Sequence, residues 1–268
     1  MPGRERETGV ARPRPRRSLG QNFLRARWVT RLFAEWACDR RLLLEIGVGE
    51  GAVSREILSR CPDSMIYGLE LDRRLVPLAA GLSLVSPWFS MIHGDALHPP
   101  LRLTAFDGIY GSIPYNITGP LLSLLALEAR QPAMLLLQRE VAERLAATPG
   151  TRTYGRITVL VQAVYRVRLG RVVPPSAFEP RPRVYSRLVY LEPRPDAPPE
   201  SLVRRLEQLT RCMFSERNKL ADKVASRCLG VPRVSLSSFA GRRVYELPVE
   251  DFIRLASREG IWPGAARL

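Results

Sequence analysis

Short apolar runs alternate with segments of helical period through the first half of the chain. The runs are LLLEIG (42–47), MIYGLEL (65–71), FSMIHGDA (89–96), FDGIYGSI (106–113) and AMLLLQ (133–138). Amphipathic segments such as AVSREILSRC separate them. Such an alternation predicts βαβ units, in which parallel strands form a sheet covered by helices on both faces. The expected fold class is therefore α/β.

The later part of the chain predicts the completion of this sheet and a second domain. Residues 157–173 and 183–193 contain alternating apolar stretches, and we expect both to be closing, antiparallel strands of the same sheet. A proline-rich linker is expected at 194–200, and helical segments follow it. The predicted domains are a basic, disordered arm (1–17), a sheet domain (18–193), this linker and a small helical domain (201–268).

The charge balance favours a polyanionic partner. The chain carries 41 Lys and Arg residues against 26 Asp and Glu residues, a formal net charge of +15. An excess of this size is typical of proteins that neutralise phosphates, although an arginine-rich thermophilic surface is an alternative. The arm RPRPRR (12–17) and the stretch 203–243 are the candidate segments for contacting nucleic acid.

Nothing in the sequence predicts a membrane segment or a metal site. No apolar run is long enough to span a bilayer, and the Arg- and Pro-rich start is unlike a secretory signal, so we expect a soluble, cytoplasmic monomer. Cysteine and histidine spacing supports no zinc site, and free thiols are expected. The scarcity of asparagine is typical of thermophiles, which leaves a Cys212–Cys228 disulfide open.

A glycine-rich turn follows the first predicted strand. In LEIGVGEG, Glu45 precedes Gly47, Gly49 and Gly51, whereas a dinucleotide site favours G-x-G-x-x-G. The acid and the spacing favour S-adenosylmethionine, although a tight turn alone would explain the glycines. Two further acids end the next two strands, Glu70 in GLELD and Asp95 in HGDAL. We expect the three acids to line one crevice at the carboxyl edge of the sheet.

The fourth predicted strand ends in Ser112, Ile113, Pro114 and Tyr115. Alone, SIPY is more typical of a turn. Beside a cofactor crevice it predicts a clamp for an adenine. The Ser112 hydroxyl and the Ile113 carbonyl would accept hydrogen bonds from the exocyclic amine, and Tyr115 would stack on the base. Pro114 would stiffen the carbonyl before it.

These motifs resemble the ribosomal RNA adenine dimethyltransferases of the KsgA type. The resemblance covers most of residues 17–193 and rests on LGQNFL (19–24), LEIGVGEG, ELD, GDA, SIPYNITGPL, residues 135–162 and VVPPSAFEPRPRVYSRLVYLEP. It implies a Rossmann-like methyltransferase fold with a mainly parallel seven-stranded sheet and a small C-terminal helical domain. It also implies dimethylation at N6 of two adjacent adenosines in the 3′-terminal hairpin loop of small-subunit ribosomal RNA, late in subunit assembly.

The resemblance also implies roles for individual residues. Asn22 and Leu24 would cover the methionine part of the cofactor, and Phe178 would stack on the target base opposite Tyr115. The cofactor-binding residues expected in all are Asn22, Leu24, Gly47, Gly49, Glu70, Asp95, Ala96 and Ser112. The catalytic residues expected are Ser112, Ile113, Pro114, Tyr115 and Phe178.

One departure from the family pattern concerns Ser112, because the family most often has asparagine there. Serine keeps an acceptor oxygen on a shorter side chain. The alternatives are a macrolide-resistance methylase acting on large-subunit RNA, a DNA adenine methyltransferase, and a non-catalytic assembly or transcription factor on the same scaffold. The late motif and residues 135–162 favour the small subunit.

Overall fold

The computed structural model describes residues 13–258, so the first twelve residues of the predicted arm lie outside the described residues. The strands are β1 (Phe23–Leu24), β2 (Leu42–Ile46), β3 (Met65–Glu70), β4 (Phe89–His93), β5 (Gly108–Ser112), β6 (Ala133–Gln138), β7 (Tyr165–Val173), β8 (Phe178–Glu179) and β9 (Ser186–Pro193). The α-helices are α1 (Arg27–Ala37), α2 (Ala52–Arg60), α3 (Val76–Ala80), α4 (Thr118–Leu124), α5 (Arg139–Leu145), α6 (Arg156–Val164), α7 (Glu200–Phe214), α8 (Ala221–Leu229) and α9 (Val249–Ala256).

Seven strands form one sheet in the order β4-β3-β2-β5-β6-β9-β7. The pairs β4–β3, β3–β2, β2–β5 and β5–β6 are parallel. Their strands are almost continuously apolar because helices cover both faces, as a parallel sheet requires. The predicted mainly parallel seven-stranded sheet is confirmed. A separate two-stranded sheet joins β1 to β8, with Leu24 opposite Phe178.

The chain divides into two compact units. The first comprises the described part of Met1–Thr118 together with Gln131–Gln138 and Arg171–Leu188. The parallel strands β2 to β6 all lie in it, and their carboxyl ends therefore meet within a single unit.

The second unit comprises Gly119–Arg130, Arg139–Gly170 and the described part of Val189–Leu268. Its apolar core joins α6 to the C-terminal helices: Val159 and Ala163 cluster with Leu206, Val224 and Phe252, all of which are almost fully buried. Helices on both sides of the proline-rich stretch 194–200 thus bury their apolar faces in one core.

Residues 157–164 form helix α6, so the prediction of a strand there was wrong. The segment is mostly apolar and almost fully buried, and periodicity alone cannot distinguish a buried helix from a buried strand. Its start is fixed by a polar contact that the pattern does not reveal. The Thr158 hydroxyl accepts a hydrogen bond from the Gly155 amide at 3.2 Å and donates one to the Arg144 carbonyl at 2.8 Å.

Two disulfides correct the expectation of free thiols. Cys212 pairs with Cys228 in the second unit, which resolves the pairing that the sequence left open. Cys38 pairs with Cys61 in the first unit, because these residues follow α1 and α2, two helices whose ends come together. The helices within 13–258 are all too short or too polar to cross a membrane.

Candidate active site

A pocket opens at the carboxyl ends of β2, β3, β4 and β5, within the first unit. Its volume is about 860 Å³, including the part open to solvent. The predicted site residues that line it are Asn22, Gly47, Gly49, Glu70, Asp95, Ala96, Ser112, Ile113, Pro114, Tyr115 and Phe178. The structure therefore brings together eleven of the twelve residues expected to bind the cofactor or the target base. Leu24 lies outside the pocket, and so does Glu45, the third acid expected in the crevice.

The glycine turn after β2 forms the floor of this pocket. Gly47, Gly49 and Gly51 all have positive φ angles, of 73°, 59° and 77°. Only glycine adopts this left-handed region readily, so each is required by the backbone itself. A side chain on Gly47 would point at Pro114 Cδ, 3.7 Å from the added carbon, and would fill space between the turn and the end of β5.

Glu70, the last residue of β3, presents its carboxylate at the pocket edge. One oxygen accepts the Gly49 amide at 2.9 Å and the other accepts the Asp72 amide at 2.8 Å. Burial raises the pKa of Glu70, and these backbone amides oppose the rise. The two bonds fix the direction of the carboxylate and leave each oxygen a free lone pair for a ligand hydroxyl.

Asp95 lies in the turn after β4, with its side chain 41% exposed. One of its oxygens accepts the Leu97 amide at 2.9 Å, which holds the carboxylate at the rim of the pocket. None of the lining residues in the described chain is a lysine or an arginine. A pocket with two carboxylates and no cation suits a ligand that donates hydrogen bonds or carries positive charge, and disfavours a pyrophosphate.

Glu45 does not join these acids, and the expectation that it lines the crevice was wrong. Its side chain is 1% exposed and points into the interior of the first unit. There it accepts hydrogen bonds from the hydroxyls of Ser54, on α2, and Tyr110, on β5, the latter at 3.0 Å. Burial raises the pKa of Glu45 to about 8. The acid therefore joins a strand, a helix and a second strand instead of contacting a ligand.

The SIPY segment continues β5 along the opposite side of the pocket. Ser112 ends that strand opposite Leu136, and the Ile113 amide donates to the Leu136 carbonyl at 3.1 Å. The backbone that carries the Ser112 hydroxyl and the Ile113 carbonyl is thus fixed by β6. Pro114 follows, and its ring restricts the backbone further.

Tyr115 and Phe178 provide the aromatic surfaces of the pocket. Tyr115 is half-buried, and its hydroxyl lies 2.8 Å from the hydroxyl of Ser186, the first residue of β9. Burial raises the pKa of Tyr115, so the phenol is neutral at physiological pH. Phe178 is 5% exposed and begins β8. Ser186 was missed by sequence reasoning, because its only signal is a small polar residue at an inward position of an apolar strand.

The segment 19–22 covers the pocket from the N-terminal side. Gly20 lies close to the SIPY segment, since an added side-chain carbon there would be 3.0 Å from Asn116 Oδ1. Gln21 fastens the segment: its amide nitrogen donates to Asp72 at 2.8 Å, and its oxygen accepts the Arg16 amide at 2.7 Å. Arg74 also pairs with Asp72 and lowers the pKa of that carboxyl. Apart from the LGQNFL motif, no sequence pattern indicates the hydrogen bonds of Gln21.

Leu24 does not line the pocket. It is 5% exposed and pairs with Phe178 in the two-stranded sheet. Its neighbour Phe23 lines the pocket instead.

Comparison with known proteins identifies the family. The profile of the family described as Ribosomal RNA adenine dimethylase matches residues 13–258. The chain belongs to the ribosomal RNA adenine dimethylase family. A probable ribosomal RNA small subunit methyltransferase A from Pyrobaculum aerophilum is 36% identical over 243 residues, which are 91% of this chain and 98% of the relative. A ribosomal RNA small subunit methyltransferase A from Erythrobacter litoralis is 36% identical over 261 residues, covering 91% and 90%.

Solved structures agree with this membership in the adenine dimethylase family. A dimethyladenosine transferase from Plasmodium falciparum superposes with a TM-score of 0.74 at 22% identity, covering 87% of this chain and 95% of that one, and shares the fold. The 23S rRNA methyltransferase ErmE superposes with a TM-score of 0.61 at 25% identity, covering 88% and 98%. The predictions of a Rossmann-like methyltransferase fold and of a ribosomal RNA methyltransferase are confirmed.

The arginines of the predicted RNA-contacting stretch 203–243 are not all available to phosphates. In the second unit, several pair with acids of that same unit, which reduces their attraction for RNA. These pairs are Arg204 with Glu200, Arg211 with Glu207, Arg227 with Glu216, Arg233 with Asp222 and Arg242 with Asp251. Part of the positive charge of this adenine dimethylase therefore stabilises the second unit itself.

Proposed function

We propose that this protein uses S-adenosylmethionine to dimethylate N6 of two adjacent adenosines in the 3′-terminal hairpin loop of small-subunit ribosomal RNA. It would act as a cytoplasmic monomer on assembling small subunits. The observation that carries the proposal is the pocket in which two carboxylates on successive strands face an SIPY segment across a glycine turn. The names of the 33–36% identical relatives, which refer to the small subunit, support the choice of RNA.

The residues of the pocket fit the proposed cofactor. The space opened by Gly47 admits a ligand against the backbone, and Glu70 has oxygens oriented for ribose hydroxyls. Asp95 is placed at the rim for an adenine amine, and the segment 19–22 covers the pocket. The absence of lysine and arginine among the described lining residues suits a sulfonium and an ammonium group. When bound, S-adenosylmethionine would supply the methyl group.

The chain's own contribution is to hold and align the target adenine. The lone pair of the exocyclic amine is delocalised into the ring, which makes the nitrogen a weak nucleophile. Acceptors at the Ser112 hydroxyl and the Ile113 carbonyl would bind its two N–H groups and favour a pyramidal nitrogen. Tyr115 and Phe178 would hold the ring between their faces. Alignment of this kind accelerates a reaction without a general base of tuned pKa.

Labelled methyl transfer tests the proposal. Unmethylated small subunits and unmethylated large subunits are incubated separately with the protein and tritiated S-adenosylmethionine, and the labelled bases are mapped. Label at two adjacent adenosines of the small-subunit hairpin is expected. Label on large-subunit RNA would favour the ErmE-like alternative, and label on neither would contradict the proposal.

Substitution of Ser112 tests the clamp. Ser112→Ala removes the acceptor hydroxyl but leaves the backbone pairing of β5 in place, so turnover is expected to fall about ten-fold or more. Calorimetric affinity for S-adenosylmethionine should change less than two-fold. Ser112→Asn, which restores an acceptor on a longer side chain, is the matched control. Full turnover by Ser112→Ala would remove this hydroxyl from the mechanism.

A further inference from the structure

One short loop has both its ends fixed at the wall of the pocket. Residues 180–185, the rim loop, begin after β8, whose Phe178 lines the pocket. They end at Ser186, which is 1% exposed and holds the Tyr115 hydroxyl at 2.8 Å. A loop of six residues anchored in this way must lie beside the pocket mouth.

The rim loop is stiff, basic and aromatic. Pro180 and Pro182 restrict its backbone, so little conformational freedom is lost when a ligand binds. Arg181 and Arg183 are exposed, and no acid within residues 13–258 pairs with either. Tyr185 is 50% exposed. Exposed arginines interleaved with an aromatic side chain form the combination that binds the phosphates and bases of single-stranded nucleic acid.

A second pair of side chains on the first unit has the same character. Arg171, on β7, lies over the Trp28 indole, 4.5 Å from the ring centroid, and Arg171 is exposed. Trp28 is in the first turn of α1. Just before this helix, the amides of Arg25 and Ala26 donate hydrogen bonds to the carbonyl of Ala177, the residue before Phe178. Glu179, nearby and exposed, pairs with Arg25 at 3.0 Å, and Arg25 also pairs with Glu50.

We propose that the rim loop binds the nucleotide next to the target adenosine, with Tyr185 stacked on its base and Arg183 against its phosphate. The inference rests on the proposed function, in which the target has an adenosine as its immediate neighbour. When one adenine occupies the pocket, a single phosphodiester holds the other just outside it. The rim loop is the exposed, cationic and aromatic surface fixed at that position, and it would make the two adenosines successive occupants of one site.

The test combines substitution of the protein with substitution of the RNA. Transfer to unmethylated small subunits is measured for the full-length wild-type protein, for Tyr185→Ala and for Tyr185→Phe, which keeps the ring. Each is also assayed on subunits in which a uridine, a smaller stacking surface, replaces the neighbouring adenosine. Leu84→Ala is a control, because Leu84 is apolar and 85% exposed but precedes β4, at the end of that strand away from the pocket.

Tyr185→Ala is expected to raise KM for small subunits on the order of 5- to 100-fold, the range for loss of one stacked base. Tyr185→Phe and Leu84→Ala should stay within two-fold of wild type, and calorimetric affinity for S-adenosylmethionine should be unchanged in all. The uridine substitution should raise KM for wild type and for Tyr185→Phe. It should raise KM little further for Tyr185→Ala, because the protein and RNA substitutions remove the same contact.

The inference would be overturned, and the proposed function left intact, if Tyr185→Ala has a normal KM. The same holds if Tyr185→Ala and the uridine substitution raise KM by factors that multiply. Failure of the wild-type protein to label small-subunit adenosines would instead overturn the proposed function. A Tyr185→Ala variant that alters sedimentation rather than KM would identify the rim loop as a contact between copies of this chain, and would also overturn the inference.

Arg183 gives a second readout. Arg183→Ala should reduce the slope of log affinity for RNA against log salt by about one, the effect of one lost phosphate contact. Arg41→Ala is the matched control, because Arg41 is exposed at the amino end of β2, the end away from the pocket. Equal slopes for Arg183→Ala and wild type would contradict the phosphate contact.

Discussion

The hydrogen bond between Tyr115 and Ser186 gives the sharpest prediction about the site. The two hydroxyl oxygens are 2.8 Å apart, and Ser186 is 1% exposed at the start of β9, while Tyr115 is half-buried in the pocket wall. Ser186 touches neither substrate nor cofactor in our proposal. It is a positioning residue, which holds the phenol so that the ring of Tyr115 faces the target base.

The size of the effect follows from the burial of the two partners. A neutral hydrogen bond contributes about 1 kcal/mol net, and a buried hydroxyl left without its partner costs about 1–3 kcal/mol. Water reaches the half-buried Tyr115 in part, so Ser186→Ala should cost about 1–2 kcal/mol. If the bond orients the ring in the transition state, kcat/KM for methyl transfer falls about 5- to 30-fold. Affinity for S-adenosylmethionine should not change.

A double-mutant cycle separates orientation from general packing. Tyr115→Phe removes the same hydrogen bond from the other side and keeps the ring. We expect Tyr115→Phe, Ser186→Ala and the double variant to lose kcat/KM by similar factors, because each removes one shared contact. Losses that multiply in the double variant, or wild-type kcat/KM in Tyr115→Phe, would refute the positioning role. Urea unfolding of all four proteins identifies any loss that is merely one of stability.

Three further predictions concern the framework of the site. Burial raises the pKa of Glu45 from 4.5 to about 8, so the folded protein keeps a proton that the unfolded chain releases. Relative to Glu45→Gln, the free energy of unfolding measured in urea should therefore fall on the order of 4 kcal/mol between pH 4.5 and pH 8. Parallel pH profiles of the two proteins would contradict this. Gly111→Ala would place a carbon 2.3 Å from the Ile46 carbonyl oxygen and should destabilise the protein by about 3 kcal/mol. The control Gly119→Ala, whose added carbon meets nothing within 4 Å, should change stability by less than about 1 kcal/mol. Equal melting temperatures of the two variants would contradict this. Removal of either disulfide should lower the free energy of unfolding by about 3 kcal/mol, in Cys38→Ala/Cys61→Ala and in Cys212→Ala/Cys228→Ala. If a reductant leaves the unfolding of the wild-type protein unchanged, neither bridge is present.

The parallel half of the sheet could be predicted from the sequence because its strands are buried on both faces. Apolar runs with turn residues at their ends mark the strands β2, β3 and β6. The acids and glycines at the ends of such runs therefore show where the strands end. Nine of the twelve expected site residues line one pocket for the same reason, while Asn22 and Phe178 reach it from outside the parallel strands. In a parallel sheet, strand ends that are distant in sequence meet at one edge.

The failures come from contacts that local patterns do not encode. Residues 157–164 are mostly apolar and buried, and the contacts of their two polar side chains, Thr158 and Gln162, are with carbonyls and an amide outside the segment. The direction of Glu45 depends on the register of β2 and on Ser54 and Tyr110. The Cys38–Cys61 bridge and the Gln21–Asp72 bond join segments 23 and 51 residues apart. Tertiary packing decides all four features, and neither spacing nor composition carries that information.

Mass analysis of the modified RNA tests the proposed dimethylation of both adenosines. Unmethylated small subunits are treated with the protein and S-adenosylmethionine, and nuclease fragments of the 3′-terminal hairpin are weighed and sequenced. We expect a fragment in which each of two adjacent adenosines carries two methyl groups at N6, with large-subunit RNA unchanged. Methyl groups on large-subunit RNA alone, or an unmodified hairpin in the presence of bound cofactor, would contradict it.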